Sequence, residues 1–212
     1  MKATRIKASD EALLDLDSPV WANTTRFPMF ATPLAMAKAT SPYLAISEGH
    51  GVIENLEVAA IHNGSMIAIG LKWAADKHDQ LLDVDTFVDG VAVLFPLARG
   101  ASAMTMGSQA KPANAWYWKA DESTPYEVVA KGFGSVQRFK GKQASDLKAV
   151  AQHRDGHWQV IFRRSMGAVD GLAKLLPARG SKIAFAVWDG GNAERSGRKS
   201  FSGDFMDFEI QK

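Results

Sequence analysis

The sequence predicts an all-β fold, an antiparallel β-sandwich with one or two short helices. Turn signals recur about every ten residues, and short apolar runs lie between them, as in domains built from many short strands. Asn63-Gly64 is a typical hairpin signal, because these residues accept the left-handed backbone that a tight turn requires. The chain has 212 residues, with neither an internal repeat nor a long linker, so a single domain over residues 1–212 is expected.

Seven segments have the length and the apolar pattern of strands. The sequence HWQVIFRR at 157–164 alternates between apolar and polar residues, as a half-buried strand does. The sequence KIAFAVW at 182–188 is almost wholly apolar and predicts a buried strand. The predicted strands are 51–61, 65–73, 90–95, 113–119, 157–164, 182–188 and 205–210.

Helical signals are weaker than strand signals. Residues 144–152 could form two turns with Ser145 as the N-cap, and residues 169–176 could form a short helix. Both segments lie between predicted strands, so they are expected to be excursions on the sandwich.

Composition excludes several kinds of site. The chain contains no cysteine, which excludes disulfides, thiolate nucleophiles, Cys-ligated zinc, the usual iron–sulfur clusters and haem attached through C-x-x-C-H. Basic residues number 25 and acidic residues 23, giving a net charge of +2. A charge this small gives no general reason to expect nucleic acid or an anionic membrane as a partner.

Membrane and export signals are absent from the sequence pattern. No apolar run reaches the roughly 18 residues of a membrane-spanning helix. Residues 1–20 also lack the apolar run, about 7–15 residues long, of a signal peptide. Two alternatives remain open at this point: a cytoplasmic protein, or the mature chain of an exported one.

Acidic residues and histidines form no recognisable metal motif. The acidic run lacks the Gly and Glu positions of an EF-hand loop, so we expect a solvated loop, with calcium binding as the alternative. His62 and His157 lie beside turns and are expected to face solvent. The members of the acidic run are Asp76, Asp79, Asp83, Asp85 and Asp89.

Three further clusters have both an ordinary and a functional interpretation. Met104-Thr105-Met106-Gly107 would place two thioethers on one face of an extended segment, although core packing is the common role of Met. Trp116 and Trp118 alternate with Tyr117, which predicts either core residues or an aromatic platform. Arg195-Ser196-Gly197-Arg198-Lys199 predicts a basic, solvated hairpin tip.

Taken together, these segments resemble the haem b-binding gamma subunits of ethylbenzene dehydrogenase, dimethyl sulfide dehydrogenase, chlorate reductase and selenate reductase. The resemblance covers nearly the whole chain in order. The combination of FxDxVAVxFP, MG…WxWKA and FAVWDG…ER…K is more specific than any of its parts. The matching segments are LDLDSPVW (14–21), HNGSMIAIGLKWAADKHD (62–79), FVDGVAVLFP (87–96), MTMGSQAKPANAWYWKA (104–120) and IAFAVWDGGNAERSGRKSFSGDF (183–205).

The resemblance implies a sandwich akin to DOMON-like cytochrome domains, holding one haem b between a Met and a Lys. It indicates Met106 as the first axial ligand, with Met104 as the alternative. It indicates Lys199 as the second, with Lys182 as the alternative. A Lys amine can ligate iron only when neutral, and burial lowers its pKa in that direction.

The surroundings of the haem follow from the same resemblance. Arg195, Arg198 or Lys111 could hold the propionates, on the basis of charge alone. The aromatic residues expected to line the pocket, or the core beneath it, are Trp116, Trp118, Phe185 and Trp188.

The function implied is that of a non-catalytic electron-transfer subunit. Its expected partners are a molybdenum catalytic subunit, an iron–sulfur subunit and a soluble c-type cytochrome, and its expected location is the periplasm. A carbohydrate-binding β-sandwich that uses Trp116 and Trp118 as platforms, together with calcium, is the alternative from another class. A hydrolase is not supported, because no pair of nucleophile and base stands out.

Overall fold

The computed structural model describes residues 1–39, 41–80, 87–140, 145–177 and 179–212. Within these ranges strands far outnumber the few short helical turns, which confirms the predicted all-β fold. The strands are β1 (Lys2–Arg5), β2 (Thr25–Pro28), β3 (Phe30–Ala31), β4 (Asn55–His62), β5 (Met66–Ala74), β6 (Gly90–Pro96), β7 (Ala113–Lys119), β8 (Tyr126–Ala130), β9 (Gln137–Arg138), β10 (Lys148–Arg154), β11 (His157–Ser165), β12 (Ser181–Trp188), β13 (Ser200–Phe201) and β14 (Met206–Ile210). The helical elements are α1 (Pro42–Ala45) and single 3-10 turns at Ala12–Leu14, Pro19–Ala22 and Leu34–Ala37.

All seven predicted strands are present, as β4, β5, β6, β7, β11, β12 and β14. The Asn63-Gly64 turn joins β4 to β5 as expected. Gly64 adopts a φ of 101°, and the Asn63 side-chain oxygen accepts hydrogen bonds from the backbone N–H groups of Ser65 and Met66, at 3.0 and 2.8 Å. An Asn side chain that bonds its own turn in this way stabilises the hairpin locally.

Both predicted helices are wrong. Residues 148–154 form β10, which pairs with β11 along its whole length, and this pairing outweighs a weak helical preference. Ala144 lies outside the described residues. Residues 169–176 form a turn and an extended segment, where the Ala173 N–H donates to the Asn114 side chain at 3.1 Å. That tertiary hydrogen bond uses a donor that a helix would need for itself.

The strands form one continuous ladder that folds over on itself. Its order is β10-β11-β5-β4-β1-β14-β12-β6-β7-β8-β9. Among the described residues β1 alone lies parallel to its neighbours, with Ala3 in register with Ala60 of β4 and Ile210 of β14. The first layer is β10, β11, β5 and β4, and the second layer is β12, β6, β7, β8 and β9.

The main core lies between these two layers. Its members come from alternate positions of strands in both. The rings of Trp116 and Phe162 lie 6.2 Å apart across the two layers, and those of Trp118 and Trp158 lie 4.9 Å apart. Period-two alternation therefore sends the large side chains of β7 inward.

The outer face of the first layer is covered by the N-terminal segment. Leu13 and Trp21 pack there against Ile61 and Ile161. A Cβ atom at Gly70 of β5 would lie 2.6 Å from the Trp21 ring, so glycine is what lets the indole approach the strand. No helix of the described residues has the length and hydropathy that spanning a membrane would require.

Two expectations of solvent exposure are wrong. His62 is fully buried, because it ends β4 inside the sheet, in register with Arg5 of β1 on one side and Ile67 of β5 on the other. Asp89 is only 2% exposed. Its carboxylate accepts hydrogen bonds from the Trp158 indole at 2.7 Å and the Gly190 backbone at 3.0 Å, so it links layers and loops rather than facing water. Asp76 is exposed as predicted.

The rest of the acidic run is only partly described. Asp83 and Asp85 lie outside the described residues. Carboxylate oxygens of Asp79, Asp89 and Asp189 lie within 4.8 Å of one another. The calcium alternative therefore stays a prediction.

Candidate cofactor-binding site

A cavity of about 950 Å³ opens on the outer face of the second layer. This volume is near the upper end of the range of about 300–1,000 Å³ found for small-molecule and cofactor sites. Strands β6, β7 and β12 are apolar on both faces, and they carry large side chains inward and mainly small ones outward. The small outward side chains of these strands that line the cavity are Ala92, Ala115 and Ala186.

Met106 and Lys199 meet at this cavity. Lys199 Nζ donates to Met106 Sδ over 3.8 Å, although 93 positions of the chain separate the two residues. Both side chains line the cavity, and Lys199 is only 6% exposed. The structure thus brings together the two residues that the resemblance indicated as axial ligands.

Met106 is held in a strained backbone conformation. Its φ is 56°, in the left-handed region that a side chain disfavours. The Gly132 N–H donates to its carbonyl at 3.1 Å, and the following residue, Gly107, has a φ of 76°. A Cβ atom at Gly107 would lie 2.8 Å from both the Lys111 carbonyl oxygen and the Ala113 nitrogen. Backbone strain of this kind is often found at functional sites, where the surrounding contacts hold the residue in place.

Lys199 is fixed from the opposite side of the cavity. Both the backbone N–H and the hydroxyl of Thr32 donate to the Lys199 carbonyl, at 3.2 and 3.1 Å. The ammonium lies 5.0 Å from the centre of the Trp188 ring and makes no ion pair within the described part of the chain. Burial lowers the pKa of Lys199 to about 8, so the neutral amine that a metal requires is readily reached.

The two alternative ligands lie elsewhere. Met104 borders a small adjoining space next to Met106 but does not line the main cavity. Lys182 is half exposed and forms an ion pair with Asp207 at 2.7 Å, also away from the cavity.

The predicted aromatic residues divide between the cavity and the core. Trp188 lines the cavity, with its ring 5.0 Å from that of Tyr117 in an edge-on arrangement. Trp116, Trp118 and Phe185 instead lie in the core between the layers. Trp116 therefore lies in the core beneath the cavity, the second of the two positions predicted for it, because the alternation of β7 turns Ala115 and Tyr117 toward the cavity.

The same burial removes the basis of the carbohydrate alternative. A sugar-binding platform needs an exposed aromatic face, whereas Trp116 is fully buried and Trp118 is 7% exposed. The prediction that these two residues form a platform is wrong.

The mouth of the cavity carries positive charge. Arg138, Arg195 and Arg198 line it, and none of the described lining residues is acidic. Arg138 is neutralised by a two-point ion pair with Glu122, at 2.8 and 2.9 Å. Arg195 is exposed, as the predicted basic tip requires, and its guanidinium lies 4.3 Å from the Phe87 ring centre. Anionic groups of a ligand would find their partners here.

The other basic residues named as candidates differ in their surroundings. Lys111 does not line the cavity and is exposed. The prediction of a solvated tip is wrong for Lys199, which turns inward. Arg198 Nη1 donates to the Ser47 hydroxyl and to the Glu48 carbonyl, the latter at 2.9 Å.

Sequence reasoning missed one wall of the cavity altogether. Residues 41–52, called the strap below, pass over the cavity between β3 and β4, and Tyr43 and Leu44 of α1 line it. Tyr126 of β8 was missed as well. One pattern in the sequence indicates the cavity wall formed by β6 and β12. In VAVLF (91–95) and IAFAVW (183–188), Ala alternates with larger apolar residues, which is typical of strands with two apolar faces.

A sandwich of this kind, with an apolar cavity on one outer face and a Met–Lys pair inside it, is a cofactor-binding β-sandwich domain. The particular family follows from comparison with known sequences. The chain belongs to the ethylbenzene dehydrogenase family, whose model matches residues 18–145 and 134–200. The match confirms the family resemblance of the sequence segments.

Named relatives agree with this assignment. The chain is 31% identical to a respiratory nitrate reductase heme subunit of Haloferax mediterranei, over 82% of this chain and 62% of that protein. It is 31% identical to the chlorate reductase gamma subunit of Ideonella dechloratans, over 72% and 63%. It is 26% identical to the dimethylsulfide dehydrogenase gamma subunit of Rhodovulum sulfidophilum, over 89% and 72%. The chain thus spans less than two thirds of the length of the first two relatives.

Solved structures add information about the fold alone. A family 9 carbohydrate-binding module of Caldicellulosiruptor kristjanssonii in complex with glucose superposes with a TM-score of 0.52 at 8% identity. The match covers 100% of this chain and 95% of that one. At this identity the likeness supports the β-sandwich and says nothing of the ligand.

Proposed function

We propose that this chain is an electron-transfer subunit that holds one haem b in the cavity, with Met106 and Lys199 as its two axial ligands. The observation that carries the proposal is the 3.8 Å approach of Lys199 Nζ to Met106 Sδ at the cavity. Membership of the ethylbenzene dehydrogenase family and the heme subunit among the relatives support the choice of cofactor.

The residues present fit this group. A Met thioether and a neutral Lys amine are donors that iron accepts. Met106 Sδ and Lys199 Nζ lie 3.8 Å apart at the cavity, so both would be available to hold one iron. The absence of cysteine leaves coordination, apolar burial and ionic contacts to hold the group, and the cavity offers all three.

A bound haem supplies a one-electron redox couple. The Met106 thioether stabilises the ferrous state and raises the reduction potential. Lys199 reaches its neutral, ligating form more easily than an exposed lysine, because burial lowers its pKa. If Met106 and Lys199 both hold the iron, neither dioxygen nor a substrate would have a place to bind. We therefore assign electron transfer rather than catalysis.

Arg195 and Arg198 are the proposed partners of the propionates. Both line the cavity, and neither forms an ion pair with a described acidic residue. Arg138 is excluded from this role because Glu122 already occupies its guanidinium. Trp188 closes the apolar part of the site.

The proposed setting is a larger complex. Two relatives are named as gamma subunits of a reductase and a dehydrogenase, which supports a partner that carries the catalytic site. We assign these roles to a molybdenum catalytic subunit and an iron–sulfur subunit, with a soluble c-type cytochrome as the external electron carrier and the periplasm as the location. This chain would relay single electrons between the clusters and that carrier.

Absorption spectroscopy on the purified full chain tests the proposal. We expect a sharp Soret band, split α and β bands after reduction with dithionite, and a pyridine haemochrome spectrum typical of haem b. A chain that is colourless and takes up no added haemin would refute the cofactor assignment.

The ligand assignment has its own matched pair of variants. Lys199→Ala should lose the low-spin, six-coordinate spectrum, whereas Lys182→Ala should keep it, because Lys182 lies away from the cavity. An unchanged spectrum in Lys199→Ala would overturn Lys199 as a ligand without touching the haem assignment.

A further inference from the structure

Glu194 is a buried carboxylate that the site described above does not use. It is 1% exposed and makes no ion pair with a described basic residue. Every hydrogen bond it accepts comes from a neutral N–H group. Burying a carboxylate is costly unless hydrogen bonds satisfy its oxygens. These N–H groups do so, and the carboxylate in turn holds together the segments that carry them.

The contacts of Glu194 join the strap to the loop between β12 and β13. One carboxylate oxygen accepts from the N–H groups of Gly51 and Val52 in the strap, at 2.6 and 3.3 Å. The other accepts from the N–H of Asp189, 3.1 Å away, at the start of the loop. The same loop carries Lys199 at its end. A single side chain thus ties one wall of the cavity to the segment that presents the lysine.

Asn192 reinforces this junction. Its side-chain amide donates to the Gly49 carbonyl of the strap at 2.8 Å and to Glu194 at 3.3 Å. Gly51 fits only as a glycine, because its φ is 78° and a Cβ atom would overlap Ala31. The strap therefore runs in close contact with β3, next to the Thr32 that bonds the Lys199 carbonyl.

The loop itself keeps an unfavourable backbone on both sides of Glu194. Ala193 has a φ of 54° and Ser196 a φ of 53°, both in the left-handed region. The Trp188 indole donates to the Ser196 carbonyl at 3.0 Å. Non-glycine residues hold such angles only where several contacts fix the chain together, and the Glu194 carboxylate accepts four hydrogen bonds at this junction.

We infer that Glu194 is a positioning residue that fastens the strap to the ligand loop, closing the cavity over its cofactor and holding Lys199 opposite Met106. The inference rests on the proposed haem site and extends it to a residue outside the cavity. The strap has no strand of its own, so side-chain contacts attach it to the loop: those of Glu194 and Asn192 near residues 49–52, and those of Arg198 near residues 47–48.

Glu194→Gln is the sharpest test. The substitution keeps the size of the side chain but replaces one acceptor oxygen by an NH₂ group, which in either orientation faces an N–H donor. In the haem-loaded full chain we expect a mixed high-spin and low-spin spectrum, and transfer of haem to apomyoglobin at least tenfold faster than in the parent. Circular dichroism at the same temperature should show that the variant is folded.

Glu209→Gln is the matched control. Glu209 is an exposed carboxylate paired with Lys2 at 3.4 Å, so its spectrum and haem-transfer rate should equal those of the parent. If Glu194→Gln also equals the parent in both readouts, the positioning role is wrong. If Glu194→Gln does not fold, Asn192→Ala takes its place, because it removes the Gly49 contact and one hydrogen bond to Glu194 while the three backbone N–H groups that bond Glu194 remain. A parent-like result there would equally refute the role.

Hydrogen exchange separates this inference from the proposed function. In the haem-free chain the amides of Gly51 and Val52 should be protected, and Glu194→Gln should speed their exchange at least tenfold. Unprotected amides in the parent would show that Glu194 does not fasten the strap. If the parent binds no haem but these amides behave as expected, the haem proposal fails while the attachment of the strap stands.

Discussion

Arg164 and Glu127 form an ion pair of 2.6 Å inside the sandwich, with side-chain exposures of 1% and 0%. Arg164 belongs to β11 of the first layer and Glu127 to β8 of the second, so the pair bridges the two. Burial lowers the pKa of Arg164, and the Glu127 charge opposes that shift. The guanidinium also donates to the carbonyls of Ala173 and Ser165, which satisfies donors that the carboxylate does not reach.

Removing one partner of this pair should destabilise the fold severely. Glu127→Ala leaves the Arg164 charge buried without compensation, for which the expected loss is about 3–5 kcal/mol. Urea unfolding followed by tryptophan fluorescence measures it. Glu209→Ala, which breaks the exposed pair with Lys2, should cost less than about 1 kcal/mol. Similar losses in the two variants would mean that Glu127 does not bridge the layers as described.

The two methionines of the 104–107 segment should differ in their effect on the iron. Met106→Leu keeps a similar volume, and such exchanges usually cost less than about 1.5 kcal/mol, but it removes the thioether that faces Lys199. We expect loss of the low-spin spectrum and a lower reduction potential. Met104→Leu should leave both unchanged. The opposite pattern in redox-monitored absorption spectra would reassign the ligand to Met104.

Burial of His62 should make the stability of the protein depend on pH. Burial lowers the pKa of His62, and the Arg5 charge acts in the same direction. Between the lowered folded value and about 6.5, the unfolded chain binds the proton and the folded chain does not, so stability falls as pH falls through this window. His62→Gln should have a flatter dependence of the urea unfolding free energy between about pH 7.5 and 5.5.

A control variant assigns that slope to one histidine. His157→Gln keeps His62 and should keep the slope. If the slope survives in His62→Gln, another group is responsible for the loss of stability at low pH.

Much of the fold could be predicted from local pattern, and the failures have a common cause. The strand β11 alternates over its own length, and the Asn63-Gly64 turn stabilises itself, so both are visible without tertiary information. The strand β10 was predicted as a helix because its seven residues become a strand only through pairing with β11. His62 was expected to be exposed because nothing near it in the sequence indicates that β1 pairs alongside β4 at this position.

The candidate site was predictable only through the family resemblance. No local pattern relates Met106 to Lys199. Met106 lies on the loop between β6 and β7, whereas Lys199 lies on the loop between β12 and β13. Trp116 illustrates the limit of alternation. The pattern shows that Ala115 and Trp116 face opposite ways, but both faces of β7 are apolar, so sequence alone cannot say which of them faces the core.

Gly107 offers a test of how tightly the Met106 loop is built. Gly107→Ala meets two obstacles: a φ of 76° and a Cβ only 2.8 Å from the Lys111 oxygen and the Ala113 nitrogen. Gly156 has a similar φ of 69° but open space around its Cβ position, so Gly156→Ala meets the first obstacle alone, worth about 1–2 kcal/mol. We expect Gly107→Ala to lose clearly more unfolding free energy and to weaken the low-spin spectrum, because the loop must shift Met106 to relieve the overlap. Equal losses in the two variants, with an unchanged spectrum, would mean that the close packing around Gly107 does not hold Met106 in place.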